Sequence, residues 1–296
     1  MKDLAEIEKL LKAKPSQTAA KRLIEWADET RARMERGEPR LGILALEVVD
    51  KVPSAYERAA ELGAPSAWLK LSEYYLAMVP EETGIPAAES AIQRAVAADV
   101  EGARFRLAQF LWFYKRETAT AAEKKRALHI LQDLVGEDSQ DARATYFLGM
   151  LTTHGFGTEP NPVEGARLLK SAAALGEPDA MFELFIYYHN GTGVTADPKR
   201  SLQYLRQAAD AGQSRAMYNL GAFYAVGRGV RKSIPKALEW YERAAEAGNP
   251  SALVGLAAIY ATGDDVEVDF DYARERLDEA EYLGMDVDHL RERFGL

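Results

Sequence analysis

The chain has no cysteine among its 296 residues. Disulfides, thiol catalysis and cysteine metal sites are thereby excluded. Histidine is scarce, with four copies: His129, His154, His189 and His289. There is no H-E-x-x-H zinc motif and no G-x-S-x-G nucleophile elbow. No stretch approaches the ~20 apolar residues that a bilayer-spanning helix needs, so no membrane span is expected. Near the N-terminus Glu6, Glu8 and Lys9 interrupt any apolar run. That is no secretory signal, and a cytoplasmic location is expected, or a periplasmic one if a leader has been removed. An excess of basic charge is also missing. The net charge is −9, and from Asp264 to Leu296 twelve acidic residues face four basic ones, a net of −8. The short basic run Arg228, Arg231 and Lys232 makes no basic face, so a nucleic-acid partner is not expected. What is present, 47% hydrophobic and 28% charged residues, is the composition of a folded protein rather than a disordered one.

The dominant feature is an internal repeat of 36 residues. Gly176, Gly212, Gly248 and Gly284 keep this step, as do Ala144, Ala180, Ala216 and Ala252. Gly155, Gly191, Gly227 and Gly263 keep it too, with Leu148, Leu184, Leu220 and Leu256, and with Ala172, Ala208, Ala244 and Ala280. Each unit reads as two helices. In residues 214–248, Ala216, Leu220 and Tyr224 share one helix face. Gly227 and Gly229 break that helix where a tight loop needs positive φ. Pro235 fits the first turn of the second helix, whose inner face is Ala237, Tyr241, Ala244 and Ala245. Gly248 closes it, and Pro250 blocks continuation. Ser214 is expected to be the N-cap of the first helix. Ala108, Gly149, Gly221 and Ala257 form a column of small residues through which the partner helix approaches closely. Phe185 breaks the column, so its unit is expected to pack differently.

The pattern A-x-x-x-L-G-x-x-Y-x-x-G-x-G-V, followed by A-L-x-W-Y-x-x-A-A-x-x-G, resembles the Sel1-like repeat family. Residues 216–248 carry it through Ala216, Leu220, Gly221, Tyr224, Gly227, Gly229, Val230, Ala237, Leu238, Trp240, Tyr241, Ala244, Ala245 and Gly248. Residues 180–212 keep Tyr188, Gly191, Gly193 and Val194. Thr152 replaces the tyrosine in the preceding unit, and Asp265 the second loop glycine in the last. The resemblance implies an all-α fold: an α-solenoid, a right-handed superhelix of antiparallel helix pairs related to tetratricopeptide repeats. Six units are expected over 65–284. Those at 65–100 and 101–141 are degenerate, and those at 142–177, 178–213, 214–249 and 250–284 are clear. Residues 1–64 are expected to hold a helical cap and a degenerate repeat, and residues 285–296 a C-terminal cap. The acidic last unit, with Lys2, Glu6, Glu8 and Lys9 at the other end, suits the polar outer faces that capping requires.

Signals for chemistry are weak. His154 and His189 stand 35 apart and are placed to share a groove, as ordinary polar residues or as a zinc or general-base site. The pairs Gly155/Gly157, Gly191/Gly193 and Gly227/Gly229 lack the strand and Lys-Ser/Thr of a phosphate loop and read as turns. The run Asp264, Asp265, Glu267, Asp269, Asp271 fails the calcium-loop pattern, since the sixth place from Asp265 is Phe270 rather than glycine. No enzyme activity, cofactor or metal is expected.

By analogy with tetratricopeptide geometry, the concave face of the first helices is the expected binding surface. It carries Phe105, Gln109, Trp112 and Phe113, then Tyr146, Met150 and His154, then Phe182, Ile186, His189 and Asn190, and then Tyr218, with Arg143 and Arg215 flanking. Phe105, Tyr146, Phe182 and Tyr218 form an aromatic column that serves packing between units or anchors a partner. Either arginine meets an acidic partner segment or starts a helix in solvent. The family resemblance implies protein or peptide binding by an adaptor in bacterial signalling, envelope or secretion systems, and as an alternative an immunity protein neutralising a secreted toxin. A hydrolase or metal site at His154 and His189 is the third reading. A monomer is expected.

Overall fold

The computed structural model describes residues 4–14, 16–36 and 51–296. Lys2 and the part of the expected N-terminal cap at 37–50 lie outside them. Among the described residues all regular structure is helical, in consecutively packed pairs. The chain divides into two compact units, residues 1–130 and 131–296.

The first unit contains α1 (Leu4–Leu11), α2 (Gln17–Glu35), α3 (Lys51–Glu61), α4 (Ala67–Met78), α5 (Glu81–Ala97) and α6 (Ala103–Phe113). The border between the units falls within α7 (Ala121–Glu137). Its core joins Ile7, Leu23, Trp26, Val52, Tyr56 and Leu71. The Tyr56 ring is fully buried, so its hydroxyl needs a partner. It donates to Asp28 Oδ1 at 2.7 Å, while Lys70 Nζ donates to Asp28 Oδ2 at 2.7 Å. This ties α2, α3 and α4 together. Burial, with Asp28 beside it, pushes the phenol far above its ordinary range. A capping box opens α7: Thr120 N donates to Glu123 Oε2 at 2.7 Å, and Glu123 N to Thr120 Oγ1 at 3.2 Å. Lys115 Nζ bridges Glu123 at 2.6 Å and Glu89 at 3.1 Å.

The second unit is more regular. Its first helices are α8 (Ala142–His154), α10 (Pro178–Asn190), α12 (Ser214–Val226) and α14 (Pro250–Thr262). Their partners are α9 (Pro162–Ala174), α11 (Pro198–Asp210), α13 (Ile234–Glu246) and α15 (Phe270–Tyr282). Each helix packs on the next in order, an α-solenoid. α16 (Asp288–Phe294) closes the end against α14. There Arg291 pairs with Asp278 at 2.6 Å and Glu281 at 2.7 Å.

The loop glycines do what the sequence requires. Gly155, Gly191, Gly227 and Gly263 end the first helices with φ between 70° and 78°, and Gly157, Gly193 and Gly229 in the turns are also positive. The small column is where helices touch. A Cβ on Gly221 would lie 2.8 Å from the Tyr241 ring, and one on Gly255 would lie 2.8 Å from the other side of that ring. Tyr241 is therefore clamped between two glycines, and its burial pushes the hydroxyl up to about 12. Phe185 stands in the column in place of a small residue. Its ring packs on Phe182 (5.6 Å) and Phe223 (6.1 Å). Its carbonyl accepts from the buried Ser201 hydroxyl at 2.9 Å.

Two local expectations need correction. Ser214 is not the cap of α12. Gln213 is, its side-chain oxygen accepting from Ala216 N at 2.6 Å. The cap sits one residue earlier because Gly212 ends the preceding turn, with φ +92°. Asp141, Glu177, Gln213 and Asn249 form a column of caps with this same step. Pro250 does more than block a helix, since it is the first residue of α14.

Candidate functional site

The expected site residues fall in both units. On α6 in the first unit, Phe105 and Gln109 are half-buried, Trp112 is buried, and Phe113 is 60% exposed. The Arg116 guanidinium covers the Trp112 ring at 4.1 Å. In the second unit Tyr146 and Phe182 are buried and Tyr218 is half-buried. Tyr218 packs on Tyr241 of the second helix, with ring centroids 5.7 Å apart. These rings form a floor rather than projecting side chains. Met150 and Ile186 are half-buried, and Arg143, His154, His189, Asn190 and Arg215 are exposed.

Two charged clusters stand on the aromatic floor. In the first, Arg215 at the start of α12 lies 4.5 Å over the Phe182 ring. It reaches back to Asp179 at 3.8 Å and Glu183 at 4.0 Å, both on α10. Gln213 Nε2 donates to Asp179 Oδ1 at 3.2 Å, so the residue that caps α12 also fixes a carboxylate of α10. The Glu183 side chain is 14% exposed. Burial raises its pKa; Arg215 opposes this and Asp179 adds to it. Glu177 is raised by burial as well. Tyr146 is pushed well up by burial and by Glu183 and Asp179. The cluster thus holds partly desolvated carboxylates facing two cations, Arg215 on Asp179 and Glu183 and Arg143 acting on Glu177.

The second cluster lies one turn on. The His189 ring stacks on Phe185 at 6.3 Å, and Arg228 Nη2 donates to His189 Nε2 at 3.3 Å. Arg228 also lies 5.2 Å from the Phe223 ring. Among the described residues no group of three or more His, Asp or Glu can hold a metal ion.

Sequence reasoning missed Asp179, Glu183 and Phe223, and saw Arg228 only as part of a basic run. The signal for Glu183 was available. Its column reads Phe147, Glu183, Asn219, Gly255, and a carboxylate is out of place in such company.

The Sel1 repeat family model matches residues 142–177, 178–213, 214–249 and 250–275. The chain carries Sel1 repeats. A Sel1 repeat protein from Oxalobacter formigenes is 26% identical, with a TM-score of 0.55, and the match covers 76% of this chain and 91% of that one. An immunity protein from Pseudomonas aeruginosa is 22% identical, with a TM-score of 0.52, covering 76% and 84%. Another Pseudomonas aeruginosa protein is 21% identical, with a TM-score of 0.53, covering 79% and 89%. The last two likenesses show the fold alone. No curated protein matches the chain. Sel1 repeat proteins are in general protein-interaction scaffolds, and among the described residues no helix is long and apolar enough to cross a membrane.

Proposed function

We propose that this Sel1-repeat chain is a non-catalytic adaptor. As a monomer it holds a partner protein or peptide along the first-helix face of its second unit, in bacterial signalling, envelope or secretion. The observation that carries this reading is the charged layer over the aromatic floor. Arg215 stands over Phe182 and pairs with Asp179 and Glu183, while His189 stacks on Phe185 and Arg228 lies against Phe223. Neither layer is needed to close the helix pairs, which pack through alanine, leucine and glycine columns. Aromatic area rimmed by polar groups is what fixes a bound segment in place and register.

The test is co-purification of the tagged chain from its native host, with mass spectrometry. The altered chain should carry Arg215→Glu and His189→Ala. Both residues are exposed, so the fold is expected to survive, as circular dichroism will check. Truncating Trp112 or Phe182 would test the core instead. A partner lost only from the altered chain supports the proposal. Partners that bind both chains equally contradict it.

A second reading, an immunity protein, is favoured by the acidic segment 264–296, with its net charge of −8. Such a charge complements a basic toxin surface. On this reading the captured partner is itself toxic when expressed without the chain.

A further inference from the structure

Arg228 belongs to the second cluster, but the cations that follow it, Arg231 and Lys232, do not. They line an open cleft of about 460 Å³ at the α12–α13 turn. Four cations line it: Arg206 from α11, Arg231 and Lys232 from the turn, and Lys236 from α13. The Tyr224 ring forms one wall, with Lys236 Nζ 5.3 Å from its centre. Among the described residues no carboxylate lines the cleft. Asp264, from outside it, neutralises Lys232 at 2.9 Å, which leaves three cations without a counter-charge from the described residues.

The equivalent cleft one repeat earlier shows what such a place takes. There Lys170 and Arg200 surround Tyr188, and Asp197 is among the lining residues. The Asp197 carboxylate lies 3.6 Å from Arg200 and accepts from Lys199 N at 3.0 Å and Arg200 N at 3.1 Å. That cleft carries its own anion. At the α12–α13 turn the aspartate is replaced by Ser233, which makes no side-chain capping bond, while the number of cations rises. We propose that this cleft binds a phosphate group from outside the chain, held by Arg206, Arg231 and Lys236. Guanidinium groups match phosphate oxygens two at a time, and the open end of the 13-residue α13 adds favourable field.

The test uses the intact chain at fixed ionic strength. Inorganic phosphate and O-phosphoserine amide are titrated separately by calorimetry, with chloride as the control. Saturable one-to-one binding is expected, weakened tenfold or more in Arg206→Ala/Arg231→Ala and unchanged in Arg200→Ala. Tighter binding of inorganic phosphate identifies a free ion as the ligand, and tighter binding of the monoester identifies a phosphorylated group. No saturation, an equal response to chloride, or equal loss in Arg200→Ala overturns the proposal. All the altered residues are exposed, and circular dichroism confirms folding. The outcome is independent of whether a partner binds the first-helix face.

Discussion

At the scale of the residue, glycine decides where helices touch and where they stop. Gly221 and Gly255 lie against opposite edges of the Tyr241 ring. Gly221→Val should therefore force the ring aside and cost about 1–3 kcal/mol, read as a lower midpoint in urea unfolding; an unchanged midpoint would disprove the clamp. The turn glycines separate two costs. Gly191 has φ +78° but room for a methyl, which would make ordinary contacts from 3.5 Å, whereas the same methyl on Gly155 would meet Pro160 at 2.6 Å. Gly191→Ala should cost about 1–2 kcal/mol for the left-handed backbone alone, and Gly155→Ala measurably more. Equal losses in the two variants would contradict this. Most of this was legible as columns in the sequence. The cap of α12 was not, because serine outranks glutamine as a capping residue and only the position of the left-handed Gly212 brings Gln213 into place.

At the scale of the element, ends and junctions carry the charge. Glu123 receives Lys115 and both the hydroxyl and the backbone N–H of Thr120, and these hold its carboxyl at about 2. A pKa below the ordinary 4.5 stabilises the fold above that value, and the benefit fades as pH falls from about 4.5 towards 2. The melting temperature of Glu123→Gln should lie below that of the wild type at pH 6, with the gap shrinking through this window. A constant gap from pH 6 to pH 2.5 would disprove the charge account. Sequence reasoning passed over the T-A-A-E capping signature at Thr120–Glu123. Lys115 was not legible, because the turn that brings it onto Glu123 and Glu89 depends on tertiary packing rather than on spacing.

At the scale of the whole molecule, the repeat made the fold readable and left the site only half readable. Counting positions along the first helices found Arg215, His189 and the floor of rings. It could not tell which rings are covered, since Phe182 and Phe113 look equally apolar in sequence, yet one is buried and the other exposed. It also passed over Glu183, whose meaning comes from Arg215 one repeat away. The central claim is that the first-helix face of the second unit is the binding surface. Hydrogen exchange of the chain with and without its captured partner tests this most directly. New protection is predicted on α10 and α12 around Asp179–Asn190 and Arg215–Val226. Protection confined to α11 and α13, or to the acidic segment after Asp264, would contradict it.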